Sequence, residues 1–393
     1  MDAQVRELLQ ELAAIEPQPA PVGEPGLTLT GAPVGVRYLP VLSVYLDWRP
    51  EATGERPAIR AARVIVKDRL RQIERAFWPR GAAYDAVLDG AARIERYLDE
   101  QAPASAEGLA IFVCEPLGLF ETLVSGAPFA TEVTADATPN LYPLARLLDD
   151  QETAIVAVVD THAARLFASH RGLLRELKDL ERNPKYFHFM KGAVAMSQAH
   201  YQRYALSQRA NVAEEVAREL DKLAAETGAT QVVLAGTDGA TAALKAALSP
   251  RVAALTRTLA LHIDIGANRD AIWDEVEPIL REVQAEDDRS LVERLMAEAL
   301  AGRLGVVGLE ETRDALAAGQ VDTLVLLANA NLPEALRSQL ISLAMKTRAR
   351  VEIVDDNIAL APLGGVGALL RYRVAATPGP VEQTEPTDMR PAP

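Results

Sequence analysis

Apolar and polar positions follow two periods along this chain. Near the start, Val5, Leu8, Leu9 and Leu12 recur at helical spacing within MDAQVRELLQELAAI. Residues 16–35 are rich in Pro and Gly and predict a loop. VLSVYL (41–46) is a short continuous apolar run of strand length, followed by the two-proline loop DWRPEATGERP. From Ala58 to Phe77 the spacing predicts a helix. Ile59, Ala62, Val66, Leu70, Ile73 and Phe77 share one face, while Arg60, Arg63, Lys67, Arg71 and Arg75 share another. A second helix is predicted at 84–99 and a buried strand at LAIFV (109–113).

After PNLYPLARLLDD the pattern changes. AIVAVVD (154–160) and AARLFA (163–168) predict a hairpin, and 178–195 a loop. A long helix is predicted from Met196 to Glu226, stopped at Gly228. Strand 231–236, helix 239–247, strand LALHIDI (259–265) and helix 269–286 follow. The remainder alternates again: helix 290–301, strand LGVVG, helix 309–318, strand DTLVLLA, helix 333–346, strand RVEIV and a last strand 369–374. Alternating strands and helices imply α/β layers, with a compact α/β/α sandwich at the C-terminal end. The predicted units are residues 1–138, 139–286 and 287–376. The tail 377–393 has five prolines and no apolar pattern, and is expected to be disordered.

A chain of 393 residues exceeds what one core accommodates, in keeping with several units. No apolar run approaches the roughly 20 residues of a membrane helix, and the acidic N-terminus lacks a signal-peptide pattern. A soluble, cytoplasmic protein without a membrane partner is expected. The single cysteine, Cys114, excludes an intrachain disulfide and sits in an apolar run, as a buried structural thiol would. His162, His170, His188, His200 and His262 form no metal-ligand pattern, so no metal or cofactor is expected.

The net charge of −14 argues against nucleic acid when averaged over the chain. Its distribution does not. No Asp or Glu occurs from Arg182 to Ala213. That window holds Arg182, Lys185, Lys191, Arg203, Arg209, His188 and His200, interleaved with Tyr186, Phe187, Phe189, Tyr201 and Tyr204. Bases among aromatics suit phosphate contact and base stacking; a solvated basic face is the plain alternative. Within it, KGAVAMSQAHYQRY (191–204) lies at a loop-to-helix junction, where helix N-terminal amides are free to meet an anion or polar substrate. Gln198 has no useful pKa, yet its amide can position a water or an ester carbonyl; capping the helix is its bland role. The Arg60, Arg63, Lys67, Arg71 and Arg75 stripe is a second candidate RNA surface, diluted by Asp68 and Glu74. LGGVGALL (363–370) lacks nucleotide-loop spacing and fits a tight approach between strands; LAGTDG fits a turn after a strand.

Taken in order, SVYLDWRP, LLDDQETAIVAVVDTHAARLF, SQAHYQRY, QVVLAGTDG, RLGVVGLEETRDALAAGQVDTLVLLAN and LGGVGALLRYRV resemble the bacterial relatives of the archaeo-eukaryotic class 1 release factor and Pelota, over residues 40–376. The resemblance implies three domains: an N-terminal α/β release-factor-like domain, an RNase H-like middle domain and a C-terminal domain with the α/β/α fold of kink-turn-binding ribosomal proteins. It implies a monomer bound at the ribosomal A site, contacting ribosomal RNA, with peptidyl-tRNA and a translational GTPase as further partners. The peptidyl-transferase-centre loop of the family falls on Lys191, Gly192, Met196, Ser197, Gln198, His200, Tyr201, Gln202 and Arg203, with Gln198 as the catalytic position. Arg182 and Lys185 join the RNA-binding set. Where the family carries Gly-Gly, this chain has Val194 and Ala195, and Val and Ala are barred from backbone conformations open to glycine. No Asn-Ile-Lys-Ser motif occurs in the first unit, so stop-codon reading is not expected. The short ANANLPEAL, without cysteine, replaces a zinc insertion found in some relatives.

Three functions compete. The first is a factor that occupies the A site of stalled or idle ribosomes, in rescue or hibernation. It acts either by plugging the site, which the lost glycine pair favours, or as a peptidyl-tRNA hydrolase using Gln198. The second is a stress or interaction protein that no longer binds ribosomes, for which the net charge speaks. The third is a metal-dependent nuclease, for which Asp160, Asp238 and Asp264 at predicted strand ends supply no motif.

Overall fold

The computed structural model describes residues 2–28, 35–49, 57–149, 154–160, 163–170, 173–180, 198–258, 263–355 and 357–373. It is a mixed α/β structure with three sheets. Helix α1 (Asp2–Ala14) precedes strand β1 (Val41–Asp47), helices α2 (Pro57–Ala76) and α3 (Ala82–Glu100), and strands β2 (Gly108–Cys114), β3 (Leu119–Ser125) and β4 (Glu132–Asp136). The first sheet has the antiparallel order β3-β2-β1-β4. Strand geometry sends alternate side chains to opposite faces. Leu42, Val44 and Leu46 meet Ala62, Val66 and Leu70 of α2 and Val87 and Ile94 of α3. Tyr45 and Phe112 point into the other core. Both faces are therefore covered, which explains why VLSVYL shows no alternation. Strands β3 and β4 are edge strands with mostly half-exposed residues, and their weak apolar patterns predict neither. Cys114 is buried, and that burial pushes its thiol pKa up.

Helix α4 (Tyr142–Asp149) leads to β5 (Ala154–Val159), β6 (Ala164–His170) and β7 (Leu173–Leu180). Then come α5 (Gln198–Thr227), β8 (Gln231–Gly236), α6 (Asp238–Ala247), α7 (Pro250–Leu255) and β9 (Thr256–Thr258). The second sheet runs β7-β6-β5-β8-β9, with β5, β6 and β7 antiparallel and β8 and β9 parallel to β5. This is the RNase H-like arrangement. Residues 178–180, expected in a loop, extend β7 as its pairing with β6 continues to Leu180. The described strand in this stretch is β9 at Thr256–Thr258, where β8 offers its parallel edge, just ahead of the strand expected at 259–265. Residues 259–262 lie outside the described residues. Asp264 instead closes a turn, accepting from the Gly266 N–H at 2.9 Å.

Helix α8 (Arg269–Leu300) is continuous where two helices, 269–286 and 290–301, are expected. Pro278 lies within it, and no Gly or Pro follows before its end. Ile272 and Val276 pack on the second sheet, and Val292 and Leu295 pack on the third. Tertiary contact at both ends holds the stretch between them helical. Strands β10 (Gly305–Val307), β11 (Val321–Leu327), β12 (Arg350–Val354) and β13 (Val366–Leu370), with helices α9 (Leu309–Ala317) and α10 (Glu334–Lys346), complete the chain. The third sheet has the order β10-β13-β11-β12, with α8 on one face and α9 and α10 on the other. The last strand ends at Leu370, short of the expected 369–374, and LGGVGALL supplies its body. A Cβ on Gly365 (φ 71°) would stand 2.6 Å from the Ala330 Cβ, so this segment is the close backbone approach its sequence suggests.

The first and third sheets share one core. Val5, Leu8, Leu9 and Leu12 of α1 and Leu144 of α4 cluster with Tyr45 and Phe112 of the first sheet and Leu316, Leu340 and Ile341 beside the third. At its centre Asn140 is 2% exposed and fully engaged. Its N–H donates to Ser43 Oγ (3.0 Å) and its carbonyl accepts from the Tyr45 hydroxyl (2.6 Å). Its side chain accepts from Ser338 Oγ (2.9 Å) and donates to Glu132 Oε1 (3.2 Å). Buried amides are stable only when satisfied in this way. On the rim of the joint, burial and then hydrogen bonding to Glu334 raise the Glu132 carboxyl to about 8, and burial also raises Asp136.

Candidate functional site

The long helix of the middle unit packs on its sheet through its C-terminal half. Ala213, Val216, Ala217, Leu220, Leu223 and Ala224 pack against the sheet. Lys178 of β7 pairs with Glu219 at 2.8 Å. Thirty residues of α-helix span about 45 Å, whereas strands of six to eight residues span about 20–27 Å. Among the described side chains, those packed on the sheet lie in the C-terminal half, and the helix is longer than any strand of that sheet. Gln198 is its first residue, and His200, Tyr201, Gln202 and Arg203 lie in the opening turns. No acid occurs in the first turn, where four backbone N–H groups lack intrahelical partners and the helix dipole is positive. Such an end can receive an anion or a polarised carbonyl. Arg182, Lys185, Lys191, Gly192, Met196 and Ser197 lie outside the described residues.

The α2 stripe is divided by its surroundings. Arg63 is drawn against α3: it pairs with Asp99 at 3.1 Å, donates to the Leu98 carbonyl, and lies over the Trp48 ring at 5.8 Å. Arg71 stands 3.8 Å from Asp68, while Lys67 and Arg75 are exposed. Arg60 falls in the first turn of the helix. The basic face thus remains available chiefly at Lys67, Arg71 and Arg75. No periodic signal in the sequence singles out Trp78, in the turn that ends this helix. It is 66% exposed, and that exposure is decided by how α2 and α3 meet.

The carboxylates at strand ends do not converge. Among the described residues, no group of three or more His, Cys, Asp or Glu is placed to hold a metal ion. The LAGTDG turn is structural: a Cβ on Gly236 would meet the Val159 carbonyl oxygen at 1.9 Å, and Thr237 N–H donates to that oxygen at 3.2 Å. None of the helices among the described residues is long and apolar enough to cross a membrane.

Comparison with known proteins bears on the middle unit first. Residues 139–281 match the model of bacterial archaeo-eukaryotic release factor family 10. Among solved structures, the chain is similar to an archaeal translation termination factor, aRF1, at 18% identity, covering 94% of this chain and 98% of that one with a TM-score of 0.26. It is similar to archaeal Pelota, in a model of ribosome-bound archaeal Pelota and ABCE1, at 16% identity over 68% and 78% of the two chains, TM-score 0.41. It is also similar to S. cerevisiae Dom34, described as a translation termination-like factor involved in RNA quality control pathways and interacting with Hbs1. There the identity is 9% over 68% and 81%, TM-score 0.41. No curated protein matches the chain by sequence.

Proposed function

We propose that this chain, whose residues 139–281 match the model of a bacterial archaeo-eukaryotic release factor family, is a cytoplasmic, ribosome-associated translation factor that occupies the A site of stalled or idle ribosomes without reading stop codons. The observation that carries this reading is the coincidence of two features. The acid-free window Arg182–Ala213 runs into the N-terminal half of α5, a helix longer than any strand of the sheet on which its C-terminal half packs. Bases and free amide groups at that end suit ribosomal RNA and the acceptor end of a tRNA.

Two modes of action follow from Gln198 at the helix start. As a plug, the end fills the site sterically and the peptidyl-tRNA ester stays intact. As a hydrolase, the Gln198 amide orients a water toward the ester while backbone N–H groups receive the oxyanion. Val194 and Ala195 favour the plug, since the glycine conformations of hydrolysing relatives are closed to them. Under this reading the α/β/α unit touches the ribosome or a translational GTPase.

Purified protein would be incubated with ribosomes carrying labelled peptidyl-tRNA. Binding without release is expected, and release that disappears in Gln198→Ala would replace the plug with the enzyme. Co-sedimentation across a salt series tests the ribosome itself. Binding that weakens with salt is expected from phosphate contacts. No co-sedimentation at low salt would leave an interaction protein that has lost the ribosome, the reading that the −14 net charge favours.

A further inference from the structure

Three tryptophans occur in this chain, and they differ in surroundings. Trp48 is buried and Trp273 is partly buried against the middle core. Trp78 is 66% exposed, although its neighbour Phe77 is packed against the first core. Exposure of so large an apolar ring calls for a partner or a reason.

The indole is exposed yet held. Its N–H group on the backbone donates to the Arg75 carbonyl at 3.3 Å. Its ring meets Tyr84 edge-on, with centroids 5.9 Å apart and planes at 82°. Tyr84 is itself fixed, donating its hydroxyl to Glu74 at 2.7 Å, with the Arg80 guanidinium 5.7 Å over its ring. The start of α3 is pinned beside it by Glu24, which accepts from the Ala82 N–H at 2.6 Å. A ring anchored along one edge and open to solvent is a preorganised surface.

The surrounding charge opposes that of the whole chain. From Lys67 to Arg80 there are five bases, Lys67, Arg69, Arg71, Arg75 and Arg80, and two acids, Asp68 and Glu74. Both acids are engaged, Asp68 beside Arg71 at 3.8 Å and Glu74 by Tyr84. Lys67, Arg71 and Arg75 succeed one another at four-residue steps, about 6 Å apart along the helix axis. Trp78 follows two residues beyond the last residue of the helix, Ala76. A purely apolar protein partner would have to desolvate these cations. A nucleic acid strand presents phosphates to the bases and a base face to the indole at once.

We propose that Trp78, flanked by Arg75 and Arg80, is a base-stacking platform for single-stranded RNA, whose phosphates run along Lys67, Arg71 and Arg75. The inference rests on the ribosomal reading for the source of that strand, and its chemistry stands on the residues named.

The full-length protein would be titrated with a short single-stranded RNA of mixed sequence while its tryptophan emission is followed. Quenching of the wild type is expected. Trp78→Ala is expected to weaken binding about ten-fold or more, the usual effect of removing one stacking ring. Trp78→Phe should retain most of the affinity while losing the quench, and Arg75→Ala should flatten the salt dependence. Equal affinity of wild type and Trp78→Ala overturns the platform, and so does equal quenching by polyglutamate, which would mark a site for acidic protein. Ribosome co-sedimentation of the same proteins separates the two proposals. If wild type and Trp78→Ala co-sediment alike, the platform falls and the ribosomal reading stands. If RNA quenching depends on Trp78 while wild type ignores ribosomes, the platform stands and the ribosomal reading falls.

Discussion

The joint between the first and third sheets and the middle unit are built in opposite ways. The joint gathers segments far apart in sequence: α1, β1, α4 and α10 contribute to one apolar cluster, and Ser338 reaches Asn140 across 198 positions. Further ties cross it, including Arg146 to Asp355 at 2.6 Å and Asp149 Oδ2 to the Ile353 N–H at 3.0 Å. The middle sheet is closed by its own helices on one face and by α8 on the other. Two regions separated in the chain by the whole middle unit therefore share their stability, whereas the region between them owes most of its stability to itself. Interlocked cores unfold together, and separate cores need not.

The comparison breaks most sharply at Leu144, fully buried in the joint. Leu144→Ala is expected to cost about 2–5 kcal/mol. Hydrogen exchange should show Val41–Asp47 and Val321–Leu327 losing protection together while Ala154–Val159 keeps its own. Loss confined to one sheet would mean the shared core is not cooperative. Asn140→Ala comes next, at about 1–3 kcal/mol, because Ser338 and Glu132 lose buried partners. Chemical denaturation should show the change in the same joint transition.

Glu132 sharpens the comparison through pH. Its folded pKa of about 8 lies above the ordinary glutamate value of about 4.5. Its contribution to joint stability is therefore full below about 4.5 and is lost as pH rises through about 8. Glu132→Gln should flatten melting temperature against pH across that window and raise it at the alkaline end. The expected gain is about 1–2 kcal/mol, below the full linkage value because the carboxyl retains solvent contact. The smallest effect on stability is expected at Lys67→Ala, within about 0.5 kcal/mol, since the side chain is exposed. Its consequence should appear instead as a shallower salt dependence of ribosome co-sedimentation.

Legibility followed local information. The α1 stripe, the α2 face, the β5–β6 hairpin and the alternation of the third unit were readable because each element carries its own period or stop signal. Gly228, with φ 67°, ends α5 as a C-terminal glycine should. Strands β3, β4 and β7 were not read, or read only in part, because edge strands carry weak patterns and are defined by the neighbour they pair with. Continuity of α8 was hidden for a similar reason. Its middle has little burial of its own, and two different sheets fasten its ends. At the candidate sites, the acid-free window and the basic stripe could be read as charge distributions. Which cations remain available could not: Arg63 is consumed by Asp99, Leu98 and Trp48, none of them near it in sequence.

By itself, then, the sequence determined those helices and strands that carry their own period or stop signal, which faces are apolar, and where acids are missing from an acidic chain. Those properties depend on neighbours within a few residues, where backbone geometry sets the period. Only the tertiary structure decided that α1 belongs against α10, that Asn140 is a buried hub, and that Trp78 stands in solvent while Trp48 does not. Such outcomes depend on which surfaces meet after long loops close. Closure entropy rises only slowly with loop length, so the decision passes to packing and to satisfaction of buried polar groups rather than to proximity along the chain.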